Sequence, residues 1–487
     1  MTIIEQIIAK HSSQQSVKPG DIVDVVIDTR AARDFGGANV VKNLIDNGLT
    51  VADPKKTIFT FDCNPGGSDQ KYAANQHYCR QYARETGIRV YDVDAGIGTH
   101  LAIDNGLSWP GSTFVSTDSH ANIMGAICAF GQGMGDQDIA AAWAKGAVWF
   151  KVPGSVKINL TGKKPASVTA KDVVLNLLSI FGANKLLGYS VEIYGEETEK
   201  FTLADRITIA SMGTEMGAII ILFPTSSSLL QELKLITGKD YQAVTADADA
   251  TYEKTFDIDM TRFVTMVAKP GHPHDDTSIE TVRNQKIDSG FIGSCTNGRI
   301  EDLRAAAVVL RGRKVAPGVV LKIVPATDAI WTQAMDEGII QTFKEAGVMV
   351  SNAGCAGCAA GQVGQCTEGW GGAGHRGGEA VRRDQRLGRQ EGQAGEGSRH
   401  HDCGGRWQRD PGVAAGLQGE GVGHAGAAPI GRHHHGLAER PPGAGRTERR
   451  PGDRRGHRDL TAVSVRDRAG QRHGPSEEAR WGRSGGE

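Results

Sequence analysis

Three cysteines offer the most specific chemistry in this 487-residue chain. Cys295 lies in the run GSCTNGR at 293–299, and Cys355 and Cys358 close the run GCAGC at 354–358. Three thiols are one short of the set that a closed zinc site or an electron-carrying iron–sulfur site takes. A [4Fe-4S] cluster held by three thiolates instead leaves one iron open to a hydroxyl and a carboxylate, as a Lewis acid. That is the chemistry of adding and removing water. A lone C-x-x-C suits a zinc ribbon or a thiol redox site equally well. The spaced third cysteine favours the cluster, because no fourth Cys or His stands at a zinc-like distance. The amino terminus, MTIIE, has no secretory character, so the thiols are expected in a reducing cytoplasm rather than in disulfides.

Removing water from a hydroxy acid also needs groups that take and give protons beside a carboxylate. Candidates are Asp118, Ser119 and His120 in STDSH at 116–120, His100 at the end of DAGIGTH, Glu215 in SMGTEMGA, and Asp62 in FDCNP. Arg299 could hold a substrate carboxylate through two parallel hydrogen bonds, with Asn297 beside it, or could pair with Glu301 or Asp302 on its own helix. Plainer readings stand alongside: Asp118 and Ser119 as helix caps, His100 as a loop histidine, Glu215 as a solvated helix residue.

These residues need a scaffold. Short β-branched runs at 23–27, 57–61, 89–93, 113–116, 289–292, 319–324 and 348–351 read as buried strands, and 123–148, 300–310 and 330–346 as helices. The alternation predicts an α/β architecture with mostly parallel sheets. Cys295, Cys355 and Asp118 then fall at carboxyl ends of strands, where open parallel sheets bind ligands. The start of the 123–148 helix could receive a substrate carboxylate on its amide groups.

The run GSCTNGRIEDL at 293–303, followed by GCAGC, resembles the aconitase superfamily, most closely its 3-isopropylmalate dehydratase and homoaconitase-like branch. The resemblance implies three α/β/α subdomains around a cleft, with a [4Fe-4S] cluster on Cys295, Cys355 and Cys358. It implies reversible dehydration of a hydroxy di- or tricarboxylic acid of the 3-isopropylmalate type, or of homoaconitate or a substituted malate. It pairs Asp118 with His100 and Glu215 with His120. It also implies a separate small subunit that brings a serine base and further arginines, this chain being the large subunit. Three departures stand out. Cys63 follows Asp62 where a histidine is usual, and could be a weak donor or a fourth cluster ligand. Ser211 replaces a common asparagine, and the Arg-Asn-Phe segment downstream of the cysteine pair is missing.

Residues 1–365 have ordinary globular composition. From 366 to 487 Lys, Asn, Phe, Tyr and Met are absent, Ile occurs once, at Ile430, and Gly and Arg dominate. This segment is expected to be a low-complexity tail without a stable fold, and it reads as a GC-rich gene translated in a shifted frame. Its arginines are interspersed with acids and its only aromatics are three tryptophans, which argues against nucleic acid as a partner, although an aconitase-like RNA-binding protein is the alternative class. A formal net charge of −1 gives no basis for nucleic-acid or membrane binding, and no apolar run is long enough to span a bilayer.

Overall fold

The computed structural model describes residues 1–65, 70–269, 272–355 and 372–374. Three all-parallel sheets organise them. The first has five strands in the order Arg89–Tyr91, Thr57–Thr60, Thr29–Arg33, Thr113–Ser116, Phe130–Gly133. The second runs Ile220–Leu222, Ser190–Tyr194, Ser155–Thr161, Lys254–Asp259. The third runs Met349–Val350, Val320–Ile323, Ser289–Ile292, Gly372–Gly374. Two antiparallel pairs, Ile22–Val26 with Ala147–Lys151 and Met266–Ala268 with Asp276–Ser278, complete the strands among the described residues. No described helix is long and apolar enough to cross a membrane.

Parallel strands buried on both faces need apolar residues throughout, and Thr57–Thr60 and Thr113–Ser116 are buried at every position. Phe59 packs edge-on against the fully buried Trp143, with ring centroids 5.1 Å apart. A buried aromatic of this size contributes roughly 1.5–3 kcal/mol. The strand Thr29–Arg33, TRAAR, is just as buried, but its two arginines hid it from a hydrophobicity reading. The entire second sheet also escaped that reading.

Two expected helices are broken. Residues 123–148 do not form one helix: a 3-10 turn Ala121–Ile127 leads through Cys128, at φ 60°, into the strand Phe130–Gly133, and a helix forms only over Asp136–Lys145. The glycines explain the break, since a Cβ at Gly131 would lie 2.1 Å from the carbonyl oxygen of Ala121. The seven-residue 3-10 turn therefore gives no helix amino terminus at which a carboxylate could dock. Residues 330–346 split into Asp328–Asp336 and Ile339–Ala346 at Gly338, which takes a left-handed conformation. The third sheet takes its strand Gly372–Gly374 from beyond Gln365, so described backbone continues past the change in composition.

The first helix, Ile3–Lys10, is tied to the first sheet by a polar clasp. His11 Nδ1 meets the Ile7 carbonyl at 2.8 Å and its Nε2 meets Asp28 Oδ2 at 2.9 Å, and the Thr113 amide donates to the same oxygen at 3.1 Å. Burial works against the charge on Asp28, yet the bonds from His11 and Thr113 outweigh it and hold the carboxyl below its ordinary value. A depressed carboxyl stabilises the fold above its unfolded-state value, and that contribution is lost as pH falls through the folded one. Asp28→Asn is thus expected to lower the unfolding free energy by about 1–3 kcal/mol at neutral pH. In urea melts, its difference from the wild type should close as the pH is taken below the ordinary carboxyl value of 3.8.

Candidate active site

Five loops meet where parallel strands of the first and third sheets end. Arg33 ends the strand Thr29–Arg33 and Asp34 follows it, Asp62 and Cys63 follow Thr57–Thr60, and Asp118 to His120 follow Thr113–Ser116. From the third sheet come residues 293–299 after Ser289–Ile292 and residues 351–355 after Met349–Val350. The two sheets are joined at this seam by backbone bonds. The Cys355 amide donates to the Asp62 carbonyl at 2.8 Å, and the Ile97 amide donates to the Ala326 carbonyl at 2.8 Å.

Cys295 and Cys355 are both buried, with their sulfurs 3.9 Å apart. Cys358 lies outside the described residues. One ligand atom each from Asp118, His120 and Cys295 fall within 4.8 Å of one another, so the first and third sheets supply a mixed set of sulfur, nitrogen and oxygen donors. The Cys295 loop is held by a close backbone approach and one carboxylate. Gly293 sits at φ 149°, where a Cβ would meet the Val324 carbonyl oxygen at 2.6 Å. Asp302 takes three hydrogen bonds, from Asn297 Nδ2 at 2.8 Å, the Gly298 amide at 2.9 Å and the Arg299 amide at 3.1 Å. The second sheet contributes through its helix Leu203–Ser211, where Thr208 donates its hydroxyl to the Thr296 carbonyl at 2.7 Å. Ser211 donates its hydroxyl back to the Thr208 carbonyl in that helix.

The acid–base residues gather here, but with other partners than the resemblance implied. His100 does not bond Asp118. Its Nε2 lies 3.1 Å from the Cys295 carbonyl, and its Nδ1 lies 3.4 Å from Nη1 of Arg299. A carbonyl can only accept and a guanidinium can only donate, so the proton sits on Nε2. Burial, then the Arg299 charge, push His100 down to about 4, so the imidazole is neutral and clasps the cysteine loop. Asp118 Oδ1 instead accepts from Arg33 Nη1 at 3.1 Å and from the His120 amide at 3.0 Å. The bond to the His120 amide closes a local turn, and the 3-10 turn that follows, with His120 at its N-cap, has no side-chain cap bond. His120 Nδ1 lies 3.2 Å from Ser119 Oγ and 4.0 Å from Asp118 Oδ1. Glu215 sits in the short 3-10 turn Thr214–Met216, whose Thr214 donates to the Ser119 carbonyl at 3.3 Å. Among the described residues no hydrogen bond joins Glu215 to His120, although that turn places both in one neighbourhood.

Arg299 is buried and its Nη1 also donates to Asp104 at 3.1 Å, while its backbone, not its guanidinium, engages Asp302. Asn297 likewise serves its own loop, donating to Asp302. The arginine that sequence reasoning missed is Arg33. Its Nε donates to Asp62 Oδ1 at 2.6 Å and its Nη1 to Asp118 Oδ1. Burial opposes its charge, but Asp118 and Asp62 outweigh that and raise its proton affinity. Asp62 also accepts from the Gly98 amide at 2.8 Å, at the start of the helix that carries His100. Burial raises the Asp62 carboxyl above its ordinary range against the opposing Arg33 charge. Asp34 accepts from the Cys63 amide at 3.1 Å and from Gln76 Nε2 at 3.0 Å, pinning the turn after Asp62. Cys63 is buried and faces Asp62 Oδ1 at 3.6 Å, and burial pushes its thiol well up. Its sulfur is thus placed as a weak donor to that carboxylate. The signal for Arg33 and Asp34 was a charged pair one residue before Gly36 and Gly37, at the end of a strand too polar to recognise.

With this geometry, the chain can be set beside known proteins. A model of the aconitase family (aconitate hydratase) matches residues 5–383, past the change in composition at Gln365. The chain belongs to the aconitase family, and its class is that of the hydro-lyases. It is 37% identical over 372 residues to the 3-isopropylmalate dehydratase large subunit of Acetivibrio thermocellus, covering 76% of this chain and 89% of that one. It is 36% identical over 372 residues to the protein of that name from Clostridium kluyveri, with 76% and 89% covered. It is 34% identical over 370 residues to 3-isopropylmalate dehydratase large subunit 1 of Methanopyrus kandleri, with 76% and 88% covered.

Asp302 and Glu301 give a local test of the loop. Asp302→Ala removes the shared acceptor of three N–H groups and is expected to lower the unfolding free energy by roughly 2–4 kcal/mol. The exposed neighbour Glu301→Ala should stay within about 0.5 kcal/mol of wild type in the same denaturant titration.

Proposed function

We propose that this chain is the large subunit of a hydro-lyase that reversibly dehydrates a hydroxy di- or tricarboxylic acid of the 3-isopropylmalate/2-isopropylmalate type. Cys295, Cys355 and Cys358 would hold a [4Fe-4S] cluster. The observation that carries the reading is the meeting of two buried thiols, 3.9 Å apart, with Asp118 and His120 in ligand distance of Cys295. Soft sulfur donors out of water suit iron–sulfur chemistry. A Cys295 loop held by His100, Asp302 and Thr208 from three directions, and a Cys355 amide bonded to the Asp62 carbonyl, fit a group that must be held rigidly. When bound, the cluster supplies a Lewis acid that makes hydroxide a tolerable leaving group.

The chain's own residues orient substrate and handle protons. His120 turns Nδ1 towards Ser119 and Asp118, which leaves Nε2 as the atom to exchange a proton with the departing or arriving water. Asp118, fixed by Arg33, aligns that ring, and exposed Ser119 stands at the rim to meet a carboxylate. Glu215 adds a second carboxylate near His120. His100 stays neutral and holds the Cys295 backbone still. Homoaconitate or a substituted malate would be served by the same donors.

The relatives' designation as large subunits supports a separate small subunit that closes the cleft. The buried thiols suit a reducing cytoplasm. Residues 366–487 remain, in this reading, a Gly/Arg-rich tail from a shifted frame. Translating the DNA around the Gly364 codon in all frames is expected to restore an Arg-Asn-Phe segment in one of them. A single open frame with no such segment would make the tail genuine.

Reconstituting the full chain anaerobically with iron and sulfide, together with its small subunit, should yield hydration of an alkylmaleate, read as loss of ultraviolet absorbance. Cys355→Ser should lower bound iron and sulfide and abolish turnover. A folded wild-type chain that takes up no iron would sink the cluster assignment. Iron uptake without activity on any hydroxy di- or tricarboxylate would sink the substrate class.

A further inference from the structure

Arg30 stands near the start of the strand that Arg33 ends, and strand alternation puts it on the opposite face of the sheet. It shares that face with Ala32, which packs in one apolar cluster with Phe59 and Trp143. Its neighbours in the sheet are Thr57 and Val115, so it lies towards the amino ends of the strands, away from the cysteine seam. Arg30 is 1% exposed, yet no hydrogen bond to its guanidinium and no ion pair is found among the described residues, and its Nε and Nη1 are sealed from water. The two nearby acids are committed elsewhere. Asp28 takes His11 Nε2 and the Thr113 amide, and Asp53 accepts from the Lys55 amide at 2.9 Å. Burial works against the Arg30 charge, and Asp53 and Asp28 favour it only from a distance. Gly146, which ends the helix Asp136–Lys145, closes one side: a Cβ there would lie 3.3 Å from Arg30 Nη1. Trp143, three residues earlier and so on the same side of that helix, is fully buried with its indole Nε1 likewise unpartnered. An arginine stays protonated in a protein, so Arg30 is a buried cation with idle donors, a costly arrangement unless an acceptor meets it.

We propose that Arg30 binds a small monovalent anion from solution, held by its idle guanidinium N–H groups beside Gly146. Charge decides between an anion and a water molecule. A water would satisfy the donors and leave the cation uncompensated, whereas chloride or a planar oxyanion such as nitrate does both. Burial limits the size, because a residue 1% exposed has no room in front of it for a nucleotide or a sugar acid. Trp143 Nε1 is a further idle donor at the same end of the helix. Occupied, the site joins the strand Thr29–Arg33 to the helix Asp136–Lys145 through a ligand. It is separate from the cysteine seam, and it stands or falls independently of the reaction proposed there.

Thermal melts of the full chain at constant ionic strength test it, with chloride or nitrate replacing gluconate, an anion too large for this position. Wild type should melt higher as either small anion is raised, by roughly 2 °C for each tenfold increase above the binding midpoint. Arg30→Met removes the stranded charge and should lose that rise. General salt effects fall on both proteins alike and cancel in the comparison. A wild type whose melting ignores the exchange would overturn the proposal and leave water as the group that meets Arg30. An equal rise in Arg30→Met would put the anion elsewhere and overturn it too. Should the variant not fold, wild-type crystals soaked in bromide decide. Anomalous density within hydrogen-bond reach of the Arg30 guanidinium is the expected result, and a water or no density at that position overturns the assignment.

Discussion

One guanidinium, that of Arg33, stands between two carboxylates from different strands of the first sheet, and the arrangement of the seam depends on it. Asp62 is tied through its carbonyl to the Cys355 amide and through its carboxylate to the start of the His100 helix. Asp118 is tied to the His120 amide. Without the positive charge between them, two buried carboxylates would repel each other and one would take up a proton. Breaking a buried ion pair by removing one partner costs about 3–5 kcal/mol, chiefly because the remaining charge is stranded. Arg33 thus couples the strand end that carries Asp62, the strand end that carries Asp118, and the loop that carries Cys355.

Rigidity at the Cys295 loop has a different source. Positive backbone angles at Gly293, Ser294 and Gly298 let the chain turn sharply, and Asp302, His100 and Thr208 each take up a polar group of the resulting loop. Three supports from three segments far apart in the chain leave the loop one conformation. The same supports explain why His100 is held neutral. A cationic imidazole beside Arg299 in a buried site would repel it, and only the neutral ring can accept at Nδ1 while donating at Nε2.

Much of the fold was legible where burial and local pattern agree. The strands Thr113–Ser116 and Ser289–Ile292 and the helix Ile300–Leu310 fall where their hydrophobic patterns place them. The strand Thr29–Arg33 was not legible, because its arginines mask the pattern and Arg33 is accommodated by acids that follow other strands. The run 123–148 misled for the opposite reason. Its apolar residues are spaced as in a helix, but Gly131 and Gly133 must pass so close to the Ala121 and Asp118 carbonyls that only a strand fits.

For the site, the sequence by itself determined the donor types: thiols at 295, 355 and 358, carboxylates at 62, 118 and 215, and imidazoles at 100 and 120. It could do so because the chemistry of a side chain is fixed by its identity, and motif spacing places such residues at strand ends. Only the tertiary structure decided who pairs with whom. Asp118 met Arg33 instead of His100, His100 met the Cys295 carbonyl, and Arg299 turned to Asp104. Those choices turn on distances of an ångström or two between segments up to two hundred residues apart, and on burial that makes each unpaired charge expensive. Neither quantity exists in a sequence until its sheets have packed.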